Sequence, residues 1–124
     1  MILVDTSVWI QFLRGKQPFL SALTTAMEHQ QVLTTACVFG ELLQGAKSQR
    51  ERDILISFWK NLPQKDGPAL WIEAGILSSE NNFFSRGVGL IDAFLVTLVR
   101  KNRGQLWTLD QKLRSVLHPS EIFE

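Results

Sequence analysis

Apolar residues along the chain fall into two patterns, short continuous runs and longer stretches with helical spacing. The continuous runs predict three short buried strands, at 2–4, 32–33 and 106–109. Apolar positions three or four residues apart predict five helices, over 19–29, 49–62, 69–84, 90–100 and 111–117. Two more helices are predicted, one capped by Ser7 and ended by Gly15, and one that follows Thr35.

The order of these elements predicts the fold class. Strands alternate with helices and no internal repeat is present, which is typical of an α/β fold with a short, mainly parallel sheet flanked by helices. The helix over 90–100 is apolar on nearly every side, so we expect it at the centre of the fold. The segment 63–68 contains two prolines and a glycine and predicts a loop. Ile122 and Phe123 are a candidate edge strand near the end of the chain.

Length and composition limit the classes of protein to consider. A chain of 124 residues, 45% hydrophobic and 20% charged, predicts a single globular domain over 1–124. No apolar run approaches the length of a membrane-spanning helix, and the first residues lack the pattern of a signal peptide. The single cysteine, Cys37, excludes an internal disulfide. We therefore expect a protein of the reducing cytoplasm with no membrane partner.

Acidic residues occupy positions where an α/β fold collects charge. Asp5 directly follows the first strand, and Asp110 directly follows the strand at 106–109. Asp92 lies in the first turn of the most apolar helix, where burial of an unpaired carboxylate is costly. Because ligands of α/β folds bind outside the carboxyl ends of the strands, these acids are expected to converge. Glu41, beside the apolar stripe of its helix, is a fourth candidate.

Each acid also has a simpler explanation when it is considered alone. Asp5 and Asp110 are placed to cap the helices that follow them, and the dipole of its own helix favours a negative charge at Asp92. Glu41 can face solvent, as most helical glutamates do. Converging carboxylates, however, repel one another unless a cation or a proton lies between them. Four together favour Mg²⁺ or Mn²⁺ over Zn²⁺, and such ions indicate phosphate chemistry.

The motifs that contain these acids occur in an order that resembles a known family. They are Val-Asp-Thr-Ser-Val-Trp at 4–9, Glu41 within a helix, Gly-Leu-Ile-Asp-Ala-Phe at 89–94 and Trp-Thr-Leu-Asp at 107–110. The chain resembles the PIN domain from residue 2 to about residue 117, and more closely the VapC-type toxins of prokaryotic toxin–antitoxin pairs. This resemblance implies a three-layer α/β fold and an endoribonuclease that depends on Mg²⁺ or Mn²⁺.

The resemblance also implies roles for individual residues. The catalytic and metal-binding acids of the family correspond to Asp5, Glu41, Asp92 and Asp110, and its neighbouring hydroxyls correspond to Thr6 and Thr108. Many members of the family carry a further acid just after the last motif, where this chain has Lys112 and Leu113. This difference leaves open whether the centre binds one metal ion or two.

Charge and aromatic content bear on the partners. If the four candidate acids are set aside, eight acids remain against 13 basic residues, so the rest of the chain carries a charge of +5, a modest attraction for a polyanion. Charge alone favours the simpler interpretation, an ordinary surface of mixed charge. The resemblance adds a cognate antitoxin, and we expect a homodimer. Eight phenylalanines and four tryptophans are many for so small a core. Trp9, Phe12 and Trp59 are therefore candidates either for the core or for a groove that binds the antitoxin.

Two other functions stay open. A PIN-like domain with a weak or inactive centre would be a protein-interaction module, and the apolar face of the helix over 49–62 is a candidate surface for it. A metal-dependent phosphatase that forms an aspartyl-phosphate would also have an acid after its first strand. That class carries a second aspartate two positions later, where this chain has Ser7. Binding of Mn²⁺ would separate an enzyme from an interaction module.

Overall fold

A three-stranded parallel sheet lies within the protein, whose computed structural model describes all residues from Met1 to Glu124. The strands are β1 Ile2–Val4, β2 Val32–Leu33 and β3 Gln105–Trp107. Their spatial order is β2-β1-β3, so the first strand is central, with Leu3 opposite both Leu33 and Leu106. All residues of β1 and β2 are buried, as is typical of a parallel sheet that helices cover.

Seven α-helices accompany the sheet. They are α1 Thr6–Leu13, α2 Phe19–Glu28, α3 Ala36–Gln44, α4 Gln49–Asn61, α5 Pro68–Asn81, α6 Leu90–Lys101 and α7 Gln111–Ser115. Two short 3₁₀ turns, Phe84–Arg86 and Pro119–Glu121, follow α5 and α7. All of the predicted helices and the three predicted strands are present, which confirms the α/β architecture. None of the helices combines the length and the apolar character that crossing a bilayer requires.

The helix α6 forms the centre of the core, as its apolar sequence predicts. Its residues 93–99 are all buried, and α5 packs against it. The rings of Trp71 in α5 and Phe94 in α6 are stacked, with their centroids 4.1 Å apart. Thr97 donates its hydroxyl to the carbonyl of Ala93 at 2.8 Å, so this polar side chain is satisfied within the helix.

The ends of the chain pair less extensively than predicted. The strand β3 ends at Trp107, because the backbone N–H of Leu109 donates to the Ser7 hydroxyl at 3.1 Å instead of continuing the ladder. The candidate edge strand near the C-terminus is reduced to one parallel bridge between Leu106 and Ile122.

Two helix boundaries also differ from the prediction. α5 ends at Asn81, earlier than predicted, because Asn82 adopts a left-handed backbone conformation with φ of 55°. α1 begins at Thr6, with Asp5 rather than Ser7 in the capping position. The Ser7 side chain therefore lies inside the helix and is available to other groups.

The predicted loop between α4 and α5 contributes to the position of α3. Asp66 in this loop accepts hydrogen bonds from the Thr35 hydroxyl, at 2.5 Å, and from the Ala36 backbone N–H, at 3.0 Å. These bonds satisfy groups at the start of α3, which have no partners within the helix itself. A distant segment of the chain thus anchors the helix that carries Glu41.

Candidate active site

Asp5 lies at the carboxyl end of the central strand, between β1 and α1. Its backbone N–H donates to the carbonyl of Trp107 at 2.9 Å, which extends the pairing of β1 with β3. The residue is only 8% exposed. Its Oδ2 accepts hydrogen bonds from the hydroxyls of Ser7, at 2.8 Å, and Thr108, at 2.7 Å. Two charge-assisted hydrogen bonds thus hold this buried carboxylate in one orientation.

Thr108 connects Asp5 to the other strand-end acid, Asp110. The Thr108 hydroxyl oxygen accepts a hydrogen bond from the Asp110 backbone N–H at 3.1 Å while it donates to Asp5. Oδ1 of Asp110 accepts from the backbone N–H groups of Lys112, at 2.9 Å, and Leu113, at 3.2 Å, and so caps α7. The capping role considered from the sequence is therefore confirmed, but it uses only one of the two carboxylate oxygens.

Glu41 reaches the same region from α3. Its Oε1 accepts a hydrogen bond from the Thr6 hydroxyl at 3.0 Å, and α1 and α3 are in contact. The residue is exposed, as the simpler explanation for a helical glutamate expects, but the bond to Thr6 directs its carboxylate towards α1. Because Thr6 adjoins Asp5, Glu41 is held next to the strand-end acids.

Asp92 lies within electrostatic range of the other three acids. Asp92 occupies the first turn of α6 and is partly buried. Burial, followed by the negative charges of Asp5, Asp110 and Glu41, raises its pKa from 3.8 to about 6. Each of these charges must lie near Asp92 to have this effect, since solvent screens distant ones. The structure therefore brings together the four acids that the motifs singled out.

No basic side chain is paired with this acidic centre. The ion pairs of the protein lie elsewhere and join Arg100 to Glu121, Lys101 to Glu73 and Arg114 to Glu124. Hydrogen bonds engage only Oδ2 of Asp5, Oδ1 of Asp110 and Oε1 of Glu41, so each of these acids keeps one oxygen without a protein partner. A concentration of oriented, unpaired carboxylates suits a hard divalent cation.

The side chains do not, however, enclose a ready-made ion cage. No group of three or more acidic, histidine or cysteine side chains is close enough to hold one metal ion in the present arrangement. The donor chemistry nevertheless fits such an ion, because the centre offers only oxygen atoms. Burial first, and then the neighbouring carboxylates, raise the pKa of Asp92 and so disfavour its negative charge. A cation would relieve this repulsion.

Ser7 is a site residue that the correspondence with the family's motifs did not include. The sequence places its hydroxyl beside Asp5 and also suggests it as the cap of α1; in the structure this hydroxyl donates to Asp5 and accepts from the backbone N–H of Leu109 at 3.1 Å. Ser7 and Thr108 therefore orient Asp5 together, while Thr6 orients Glu41. The Asp-Thr-Ser order held a signal for this role, because a serine two residues after an aspartate can bond to its side chain locally.

A groove of about 430 Å³ opens beside Glu41, between α1, α3 and α4. Its apolar wall consists of Ile10, Leu13, Leu42, Ala46, Ile54 and Leu55. Thr6 and Glu41 also line the groove, so it adjoins the acidic centre. Arg14 and Lys47 contribute positive charge to the lining, and Glu51 contributes a second negative charge.

The aromatic residues considered as groove walls belong to the core instead. Trp9 is fully buried, and its ring packs edge-on against the rings of Phe12 and Phe39. Trp59 packs against Phe39 at a centroid distance of 5.6 Å. The core interpretation of Trp9 is therefore confirmed. The expectation that Trp9 and Phe12 line the groove is wrong, because α1 turns these rings inwards and presents aliphatic residues to the groove.

The fold and the site together define a class of protein: an α/β domain with an acidic centre at the carboxyl edge of a short parallel sheet. The family model of the PIN domain matches residues 2–118. The chain belongs to the PIN domain family, which confirms the resemblance seen in its motifs.

The chain is also similar to individual proteins. It is 32% identical over 124 residues to Ribonuclease VapC32 of Mycobacterium tuberculosis, an alignment that covers 98% of this chain and 94% of that protein. The solved structure of VapBC2 from Rickettsia felis, bound to a DNA fragment from their promoter, has a TM-score of 0.75 at 18% identity and covers 100% of this chain and 98% of that one. FitAcB from Neisseria gonorrhoeae has a TM-score of 0.62 at 16% identity, with coverage of 91% and 90%. These structures share the fold of this protein.

Proposed function

We propose that this protein is a metal-dependent endoribonuclease, the toxin of a toxin–antitoxin pair, which hydrolyses phosphodiester bonds of RNA. The observation that carries the proposal is the convergence of four carboxylates without a basic partner. The identity of 32% to a ribonuclease over nearly the whole chain supports RNA as the substrate.

Each residue of the centre has a role in this proposal. The acids that would hold Mg²⁺ or Mn²⁺ are Asp5, Glu41, Asp92 and Asp110. Such an ion, when bound, acidifies a water molecule and stabilises negative charge on the phosphoryl oxygens. Ser7 and Thr108 keep Asp5 in position, and Thr6 keeps Glu41 in position. These hydroxyls reduce the reorganisation that binding would otherwise require.

Cleavage of RNA by the purified protein tests the activity. We expect cleavage with Mg²⁺ or Mn²⁺, none with EDTA, and none by the variants Asp5→Asn and Asp92→Asn. A matched control is Glu80→Gln, which removes a carboxylate from the exposed surface of α5 and should cleave like the parent. Cleavage that persists unchanged in EDTA would contradict the proposed mechanism.

The antitoxin is proposed to occupy the groove between α1, α3 and α4. The groove is mainly aliphatic on its walls and ends in a carboxylate, Glu41. An amphipathic segment with a basic residue at one end matches both features, because its apolar face would cover the walls while the base pairs with the acids. Neighbouring folds such as VapBC2 come from complexes, which supports a partner of this kind.

Calorimetric titration of the antitoxin tests this placement. The apo protein should bind more tightly than the Mn²⁺-loaded protein, since the basic residue and the cation would compete for the same acids. Ile54→Glu places a charge in the groove and should weaken binding strongly, whereas Ile56→Glu, on the same helix but outside the groove, should not. Equal affinities for apo and loaded protein would contradict competition, and equal effects of the two variants would contradict the placement.

A homodimer is also proposed, through the outer face of α5. Ile72 and Ile76, one helical turn apart, are 69% and 53% exposed on this face. A second copy of the chain would remove these aliphatic side chains from water. Light scattering should report a dimer for the parent and a monomer for Ile72→Glu. A parent that remains monomeric at high concentration would refute the proposal.

The two alternative functions are less well supported. An interaction module without catalysis would have no need of four unpaired carboxylates, and its failure to bind Mn²⁺ would distinguish it. The phosphatase alternative lacks its second aspartate, and Ser7 at that position is engaged by Asp5 at 2.8 Å.

A further inference from the structure

Phe84 is the most exposed large apolar residue of the protein. It is 88% exposed, whereas its neighbour Phe83 is 2% exposed and belongs to the core. Leu90 and Ile91, which precede Asp92, are also exposed, as is Leu109, which precedes Asp110. Single exposed apolar residues are ordinary in proteins, but several beside one site mark an interaction surface. We call the segment 84–91 with residues 109–112 the rim.

The first part of the rim is held between α6 and α7. Segment 84–91 leads directly into α6, whose first turn carries Asp92. The guanidinium of Arg86 donates to the carbonyl of Ser115 at 3.3 Å, which ties this segment to α7. Phe84 is therefore presented from a short 3₁₀ turn that is anchored on both sides.

A lysine is packed onto the same segment. Gly87 has φ of 80° and no side chain, and the side chain of Lys112 lies over it. A methyl group at Gly87 would stand 2.8 Å from Cδ and 3.2 Å from Nζ of Lys112. Lys112 follows Asp110 by two residues, and its ammonium group forms no ion pair. The glycine thus lets the Lys112 side chain, with its unpaired positive charge, rest on the segment that leads to Asp92.

We propose that the rim binds an unpaired segment of RNA, with a nucleobase stacked on Phe84 and a neighbouring phosphate paired with Lys112. An aromatic ring can stack only on a base that is free of a duplex, and a lysine ammonium is a suitable partner for a phosphate. The inference rests on the proposed ribonuclease function and adds two side chains, Phe84 and Lys112, that would bind the RNA beside the acidic centre.

The charge of the rim favours RNA over a second copy of the chain. The rim carries two basic residues, Arg86 and Lys112, and one acid, Asp110, among its apolar residues, and it borders the centre where the scissile phosphate would lie. The exposed face of α5 carries aliphatic residues in a helix that contains Glu73 and Glu80 and no basic residue. That face therefore suits a protein partner, whereas the rim suits a polyanion.

Fluorescence anisotropy with a short labelled single-stranded RNA tests the rim. The titrations use the Asp92→Asn background in EDTA, so that binding is read without cleavage. Phe84→Ala should weaken binding roughly tenfold, which is within the range of one lost base stack, and Phe84→Trp should restore it. Ile56→Ala, which truncates an exposed aliphatic side chain on α4, is the matched control and should bind like its parent. The same RNA in a duplex should bind Phe84→Ala and its parent alike.

The salt dependence separates the two contacts. Lys112→Met keeps the aliphatic stem over Gly87 but removes the charge, so it should reduce the slope of log affinity against log salt by about 1. Phe84→Ala should leave this slope unchanged, because stacking releases no counterions. Equal affinity of Phe84→Ala and its parent for single-stranded RNA would overturn the proposal. A dimer that dissociates in Phe84→Ala would also overturn it, since a second copy would then cover the ring.

Cleavage assays with Asp92 intact distinguish a failure of the rim proposal from a failure of the ribonuclease proposal. If the parent cleaves RNA but Phe84→Ala binds normally, the ribonuclease proposal stands and the rim proposal fails. If Phe84→Ala binds weakly but no variant cleaves, the rim binds RNA and the ribonuclease proposal fails.

Discussion

Thr108 donates a hydrogen bond of 2.7 Å to Oδ2 of Asp5, although the two residues are 103 positions apart in the sequence. Both residues are buried, so water competes little with this hydrogen bond. The bond joins the ends of β1 and β3 and fixes the acid at the centre of the site. It therefore links the stability of the sheet to the geometry of the candidate active site.

The variant Thr108→Val should destabilise the protein by about 1.5–3 kcal/mol, the usual contribution of a hydrogen bond to a charged group. Thr108→Ser keeps the hydroxyl and loses one methyl group, so it should cost about 0.8 kcal/mol. Urea denaturation measures both values. If valine is tolerated as well as serine, the hydrogen bond contributes nothing to stability.

Asp92→Asn should stabilise the metal-free protein at neutral pH. The folded-state pKa of Asp92, about 6, is above its unfolded value of 3.8, because burial and three neighbouring carboxylates disfavour its charge. The parent is therefore destabilised above about pH 6, and this cost disappears as the pH falls from 6 towards 3.8. With allowance for solvent at this partly buried group, the gain for the variant at neutral pH should be about 1–2 kcal/mol.

Glu121 provides a control, because neutralising it should change the stability in the opposite direction. Burial raises its pKa, but hydrogen bonds from Arg100 and the His118 backbone outweigh burial, and the net pKa is lowered. Its contribution to stability is thus present above its unfolded pKa and is lost as the pH falls. Glu121→Gln should destabilise at neutral pH, whereas Asp92→Asn should stabilise. Destabilisation by both variants without metal would mean that Asp92 is structural.

Mn²⁺ should raise the melting temperature of the parent protein. An ion that binds only the folded state stabilises it by about 2.7 kcal/mol at roughly a hundredfold excess over Kd. Asp5→Asn and Asp92→Asn should lose this increase, while Glu80→Gln should retain it. Differential scanning calorimetry with and without Mn²⁺ makes the comparison, and a parent that melts at the same temperature in both would argue against a metal centre.

Trp9→Phe should be tolerated far better than Trp9→Ala. The indole N–H of Trp9 is buried without a hydrogen-bond partner, a defect that costs roughly 1–3 kcal/mol. Phenylalanine removes this donor and keeps most of the packing against Phe12, Phe39 and Phe58, so we expect a net change within about 1 kcal/mol. Alanine leaves a cavity and should cost about 3–5 kcal/mol. Chemical denaturation measures the free energy of unfolding of both variants. Similar losses of stability would show that the volume of the indole ring matters more than its unpaired N–H.

Local patterns were sufficient to predict the elements of this fold. The apolar helix over 90–100 was expected at the centre and is buried there, because a helix without a polar face must be surrounded by protein. Some boundaries changed because of contacts that no local pattern contains. The strand β3 stops early, for example, because Ser7 takes the N–H of Leu109.

The order of strands and motifs along the chain was enough to predict the α/β fold and the PIN family and to single out the four candidate acids, because strand-end position and motif order are properties of the chain. How the side chains are used depended on the tertiary structure. It chose between the alternatives for Ser7 and Trp9, with the Ser7 hydroxyl bonded to Asp5 and Trp9 in the core, and it placed Lys112 over Gly87. These outcomes depend on how helices pack around the sheet, since packing sets which side of each helix meets protein and which distant groups come within hydrogen-bonding range.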